Sequence, residues 1–206
     1  MSSEPKLNSK PLRVLLVEDS ADDALLVERH LRHAGYDLFA QRVETSAEMS
    51  EAMLDPAGWN LVLADYHLPN FSAPEALSAL KSSGCDIPFI MMSGAVDEET
   101  AVSAMRAGAH DYIAKQNLIR LVPAIERELK EALGRRLKRA AEAALRTSEE
   151  RFHRLVEAMP LALLISDASG RVIYANQGAE RLLGYTRAEL ETGAVTLNRI
   201  FAAAGP

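Results

Sequence analysis

Between residues 12 and 120, short apolar runs alternate with amphipathic stretches of helical length, and glycines recur at Gly35, Gly58, Gly84 and Gly108, spaced 23, 26 and 24 residues apart. This rhythm limits the possible folds more than any other feature of the chain. A strand followed by a helix, repeated at that interval, builds a parallel sheet with crossover helices. Residues 14–17, 61–64 and 87–92 are continuous apolar runs, as central strands covered on both faces require. Weaker strands are predicted at 38–43 and 111–114. Gly35, Gly84 and Gly108 follow helical patterns and are expected to stop those helices in the left-handed conformation. With right-handed crossovers, five such units give a doubly wound open α/β sheet, a (βα)5 fold of the flavodoxin-like kind.

The remaining sequence reads differently. Pro123 suits the first position of a helix, and the next ~35 residues contain no strong breaker apart from Gly134. Apolar positions run Val122, Ile125, Leu129 and Ala132, then Ala141, Leu145, Ser148, Phe152, Leu155 and Met159, the second set at alternating spacings of four and three. That spacing predicts a coiled coil with a break in phase near residues 134–137, a single helix lying on its own domain being the alternative. After Pro160 a hairpin is predicted, with residues 162–167 and 171–175 joined by a turn at 168–170. Short helices are expected at 177–183 and 187–190. An isolated hairpin is marginal in water, so this second domain is expected to continue past residue 206.

Composition narrows the function classes. The chain has 206 residues, 48% hydrophobic and 25% charged, which suits one full globular domain plus a smaller one. No apolar stretch approaches the ~20 residues of a membrane span. The opening MSSEPKLNSK lacks the apolar core of a signal peptide, so residues 1–10 are expected to be a disordered lead-in. Cys85 is the only cysteine, which removes internal disulfides and suits a reducing cytoplasm. Residues 1–120 carry 10 basic against 18 acidic side chains, which disfavours phosphate-backbone binding there, and no basic cluster interleaved with aromatics follows to suggest nucleic acid.

In an open parallel sheet the ligand site lies beyond the carboxyl ends of the strands. Here those ends carry Glu18 and Asp19, then Asp65, Ser93 and Lys115. Each has a plain structural reading alone: Asp19 or Ser20 as a helix cap, with Ser20 and Asp23 forming a capping box, and Lys115 as a solvated edge. Together they pose an electrostatic problem, since two like charges 4 Å apart repel by about 4 kcal/mol at an effective dielectric of 20. A hard divalent ion such as Mg2+ relieves it, while keeping waters and accepting phosphate oxygens. An aspartate so placed can become an aspartyl phosphate if metal and lysine neutralise the transferring oxygens.

The segments LLVEDS, LVLADYHLP, IMMSGA and DYIAK, in this order and spacing, resemble the receiver domain of two-component response regulators over residues 11–125. The resemblance implies Asp65 as phosphoacceptor and Glu18 and Asp19 as the acidic pair for Mg2+, with Asp65 and the backbone carbonyl of His67 completing the metal site. It implies Ser93 and Lys115 as the groups that contact the phosphoryl oxygens, and Ser93 with Tyr112 as the switch pair. Phosphorylation in such domains remodels the surface built from the fourth helix, fifth strand and fifth helix. One departure is Gln116, where the family usually has proline. Residues 148–206, with DASGRVIYAN and RLLGY, resemble the opening half of a PAS sensor domain, too little of that fold for a ligand to be assigned; Asn176 and Tyr185 are read as turn and core residues.

The implied organisation is a lead-in at 1–10, a receiver at 11–122, a linker helix at 123–147 forming a parallel homodimeric coil, and a partial PAS domain at 148–206. The implied partner is a histidine kinase or phosphotransfer protein, the receiver itself is no enzyme, and any catalytic output lies past residue 206. Two rivals are set aside. An aspartate-nucleophile phosphatase would resemble a D-x-D pattern, and His67 stands at its second acid. A flavodoxin-like FMN carrier needs a donor-rich first loop, whereas Glu18, Asp19, Asp22 and Asp23 would repel the phosphate.

Overall fold

The structure is a computed structural model that describes residues 9–55, 57–69, 71–94, 98–192 and 200. The expected lead-in at 1–10 and the end of the PAS segment lie largely outside these residues. The chain divides into two compact units with the boundary between Leu137 and Lys138.

In the first unit the elements run β1 (Lys10–Val17), α1 (Ala21–His33), β2 (Tyr36–Val43), α2 (Ser46–Ala52), β3 (Leu61–Asp65), α3 (Ala73–Ser82), β4 (Phe89–Ser93), α4 (Glu98–Ala107) and β5 (Asp111–Ala114). A 3-10 turn, Lys115–Arg120, then leads into the long helix α5 (Leu121–Ala158). The strands pair in parallel in the order β2-β1-β3-β4-β5, the doubly wound sheet that the repeat rhythm predicts.

The continuous apolar runs are explained by burial on both faces. Leu15, Val17, Val62, Ala64, Phe89 and Met91 pack on one side with Met49 of α2, Leu77 of α3 and Ala104 of α4. Their alternates Leu12, Val14, Leu16, Leu61, Leu63, Ile90 and Met92 pack on the other with Val27 and Leu31 of α1 and Leu121 and Ile125 of α5. Each such large side chain contributes roughly 1.5–3 kcal/mol of burial. The two weaker strands, β2 and β5, are the sheet's edges. β1 begins four residues before its predicted start because Lys10–Arg13 pair with Tyr36–Phe39 of β2 alone. β4 begins two residues after Ile87, behind Pro88, whose carbonyl still accepts from the Val62 amide at 2.9 Å. Gly35, Gly84 and Gly108 all adopt positive φ (93°, 72° and 96°) after their helices, as expected.

The start of α5 corrects one expectation. Pro123 is the third residue of the helix and not the first, which costs little because first-turn amides have no intrahelical acceptor. The two sets of apolar positions on α5 behave differently. Ile125 and Ala132 are buried and Val122 and Leu129 half-buried, whereas Leu145, Phe152 and Leu155 are 61%, 69% and 66% exposed.

The second unit contains the end of α5, the antiparallel hairpin β6 (Leu164–Ser166) and β7 (Val172–Ala175), and helices α6 (Gln177–Leu183) and α7 (Arg187–Glu191). Asn176, fully buried, holds these pieces together. Its side-chain oxygen accepts from the Leu163 and Ala179 amides at 2.8 and 2.9 Å, and its side-chain nitrogen donates to the Val156 and Leu161 carbonyls, both at 2.9 Å. It is a cap of α6 and a structural hub, as its reading as a turn residue anticipates.

Candidate functional site

Strand register brings the expected residues to one edge of the sheet. Val17 pairs with Ala64, so Glu18 and Asp65 each follow a paired residue. Asp65 pairs with Met92, which precedes Ser93, and Ser93 pairs with Ala114, which precedes Lys115. The residues that end the apolar runs therefore form a staggered row at the carboxyl end of β1, β3, β4 and β5.

Lys115 sits at the centre of the acidic group. Its ammonium donates to Glu18 Oε2 at 2.8 Å, to Asp65 Oδ2 at 2.8 Å and to Asp23 Oδ2 at 2.6 Å. The other oxygens of the two buried carboxylates are held by backbone: Ser20 N–H donates to Glu18 Oε1 and His67 N–H to Asp65 Oδ1, both at 3.2 Å. The Arg42 guanidinium donates to the backbone carbonyls of Glu18 and Asp19 at 3.1 and 3.0 Å, which fixes the loop that carries the acidic pair.

The electrostatics are unbalanced. Burial pushes the Glu18 carboxyl above its ordinary value, and the proximity of Asp65 adds to this, although the hydrogen bond from Lys115 works the other way. Burial would lower the Lys115 ammonium, but its hydrogen bonds to Asp23, Asp65 and Glu18 outweigh that and hold it well above the usual lysine range. One cation thus serves three carboxylates directly, with Asp19 beside them.

Glu18, Asp19 and Asp65 each offer a carboxylate oxygen, all within 4.8 Å of one another. Hard oxygen donors at this separation, two of them buried and short of positive charge, fit a divalent ion of the Mg2+ type. Asp19 is exposed, so the donor set can be reached by water on that side.

The remaining expected residues take these places. Ser93 is fully buried at the end of β4. Tyr112 is half-buried on β5 and packs against the core cluster that contains Phe89 and Met91. His67 is exposed, in the turn after β3, with its ring edge-on to Tyr66. Gln116 enters the 3-10 turn through a trans peptide, and its side-chain amide donates to the Gly94 carbonyl, tying the loop after Ser93 to the end of β5.

Two residues of the site escaped the sequence reading. Asp23 belongs to a Ser-x-x-Asp pattern that predicts a reciprocal capping box. Ser20 does cap the Asp23 amide at 3.2 Å, but the Asp23 carboxylate reaches Lys115 and the Ser20 amide turns to Glu18. Its position one helical turn after Asp19, at the same end of the sheet, was the available signal. Arg42 carried none, since its role depends on β2 lying beside β1.

Known proteins match the two units separately. The model of the response regulator receiver domain family matches residues 14–126, and a PAS domain model matches residues 150–204. Among curated relatives, the chain is 31% identical over 122 residues to the swarming motility regulation protein RssB of Serratia marcescens, covering 57% of this chain and 54% of that protein. It is 28% identical over 107 residues to the cell cycle transcriptional regulator CtrA of Caulobacter vibrioides, covering 50% and 44%. It is 35% identical over 100 residues to the luminescence regulatory protein LuxO of Vibrio campbellii, covering 48% and 21%. The chain thus spans about half the length, or less, of the curated relatives it matches. Among solved structures, the signal receiver domain of a LuxO repressor protein from Vibrio parahaemolyticus superposes with a TM-score of 0.53 at 28% identity, over 62% of this chain and 96% of that one. NtrX from Brucella abortus gives 0.54 at 30% identity, over 65% and 29%. With the receiver match spanning more than half of its length, the chain belongs to the response regulator receiver domain family, and a PAS-type segment follows its receiver.

Proposed function

We propose that this protein is a phosphorylation switch of a two-component relay in which Asp65 accepts a phosphoryl group from the phosphohistidine of a kinase or phosphotransfer protein. The observation that carries this reading is the placement of the Lys115 ammonium against Glu18, Asp23 and Asp65, beside the converging oxygens of Glu18, Asp19 and Asp65. An Asp65 carboxylate oxygen attacks phosphorus as the bond to the histidine nitrogen breaks. The electron pair returns to the imidazole and an acyl phosphate forms on Asp65. Glu18, Asp19, Asp65 and the His67 carbonyl would hold Mg2+, which would neutralise the phosphoryl oxygens. Lys115 and the Ser93 hydroxyl contact those oxygens, and Tyr112 responds to the movement of Ser93, remodelling the α4, β5 and α5 surface. The receiver turns nothing over.

The output travels through α5. In our reading residues 11–122 act as the receiver, 123–147 as a linker and 148–206 as part of a PAS domain, in a cytoplasmic homodimer joined along Ala141, Leu145, Ser148, Phe152, Leu155 and Met159. The exposure of Leu145, Phe152 and Leu155 supports a second helix as their cover. No helix among the described residues is long and apolar enough to cross a membrane.

Radiolabelled acetyl phosphate with Mg2+ tests the switch. Label should enter the wild-type protein and be absent from Asp65→Asn; equal labelling of both would reject the assignment. Sedimentation tests the dimer: Leu145→Glu with Phe152→Glu should give monomer, and an unchanged dimer would remove the coil.

A further inference from the structure

Lys115 has three N–H donors, and all three are occupied by carboxylates. A phosphoryl group on Asp65 needs at least one of them; the donor held by Asp65 passes to that group when Asp65 carries it, and Glu18 can turn to the metal, so the hold of Asp23 is the one that neither event removes. The three differ in what release costs. The Glu18 side chain is 1% exposed and that of Asp65 10% exposed, so neither can turn to water, whereas that of Asp23 is 42% exposed and can. Asp23 also stands on α1, outside the row of strand ends, and its amide is already capped by Ser20 whatever its side chain does.

We infer that Asp23 is a positioning residue that competes with the phosphoryl group for Lys115, holding the lysine in reserve and setting the balance between unphosphorylated and phosphorylated receiver. This inference rests on the phosphoryl-transfer reading above and adds to it a residue that acts through Lys115. Beryllofluoride, a phosphoryl mimic that adds to an aspartate carboxylate, provides the probe.

Calorimetric titration of the full chain would measure Mg2+ affinity, and then beryllofluoride affinity at saturating Mg2+, for wild type, Asp23→Ala, Asp23→Glu and Asp22→Ala. Asp22 lies in the same first turn of α1 and carries the same charge, so its variant corrects for lost charge and helix-dipole effects. Asp23→Ala should bind beryllofluoride about threefold to fivefold more tightly and Mg2+ about threefold more weakly, the range of a partly exposed ion pair. Asp22→Ala should change each by less than about twofold, and Asp23→Glu should restore wild-type behaviour. A merely structural role would weaken both ligands together. Asp23→Ala that matches Asp22→Ala, or that loses beryllofluoride affinity, would overturn the inference. Wild type that fails to bind beryllofluoride with Mg2+ would instead reject the phosphoryl-transfer reading itself.

Discussion

The two edges of the receiver sheet hold their charges in opposite ways. At the amino-terminal edge they are nearly matched, three arginines to four carboxylates: Arg13 pairs with Asp55 and lies over the rings of Phe39 and Trp59, Arg135 grips Asp86 with distances of 3.0–3.3 Å, and Arg127 bridges Asp111 and Glu128. At the carboxyl-terminal edge Glu18, Asp23 and Asp65 share a single lysine, with Asp19 alongside. Both edges are partly buried and both are hydrogen-bonded, so neither burial nor bonding separates them. The unmatched charge does. One edge spends its ion pairs on fastening α5 and the loops before β3 and β4, while the other keeps an excess of carboxylate, which our proposal assigns to a divalent cation.

Substitutions should divide along the same line. The largest effect belongs to Lys115→Ala, which should lower accumulation of label from acetyl phosphate by about 100-fold, the scale of losing one charged donor to a transferring group. Mg2+ binding should survive that change, because the lysine competes for metal ligands; loss of metal binding with the label would break the division of roles. Glu18→Gln should weaken Mg2+ by at least about tenfold. In the absence of metal it should also raise the melting temperature, by about 2–4 °C if relief of the buried charge is worth about 1 kcal/mol.

The same variant has a pH signature. Burial holds the Glu18 carboxyl above its ordinary 4.5 in the folded protein, so the fold keeps a proton that the unfolded chain has released. This contribution to stability is complete below 4.5 and is lost as pH rises through the elevated folded value. Metal-free wild type should therefore melt at progressively lower temperature across that interval, and Glu18→Gln should show a flatter profile. Identical profiles would mean that the carboxylate is not strained by burial.

The smallest effect on chemistry comes from the nearly matched edge. Arg135→Ala should cost about 1 kcal/mol of stability in thermal unfolding, as expected for a partly exposed bidentate pair, and should leave labelling unchanged. A large drop in labelling would show that the two edges are coupled more tightly than their separate ion pairs imply.

Much of this contrast was legible in the sequence because strand ends are. Once the apolar runs were placed, the residues following them had to share an edge, and Glu18, Asp19, Asp65, Ser93 and Lys115 were found without knowledge of any contact. The fold followed from the same runs, and even the weakness of the segments at 38–43 and 111–114 matched their places as edge strands. What stayed hidden depends on side-chain direction across elements. Asp23 fits a local capping pattern so well that its one signal, a place one helical turn after Asp19, is masked, and its reach to Lys115, 92 residues away, needs the structure. Arg42 is a similar case: its contact with the acidic loop exists only because β2 flanks β1. The phase change along α5 was visible as a break in spacing. Its consequence, burial before the break and exposure after it, required the structure.

The central claim is that unmatched charge at the carboxyl-terminal edge makes Asp65 a metal-dependent phosphoryl acceptor. Borohydride reduction after exposure to acetyl phosphate, read by peptide mass spectrometry, tests it most directly, since an acyl phosphate is reduced to an alcohol at the residue that carried it. The account predicts reduction at Asp65 with Mg2+ present and none after chelation. Reduction at another carboxylate, or at Asp65 regardless of metal, would contradict it.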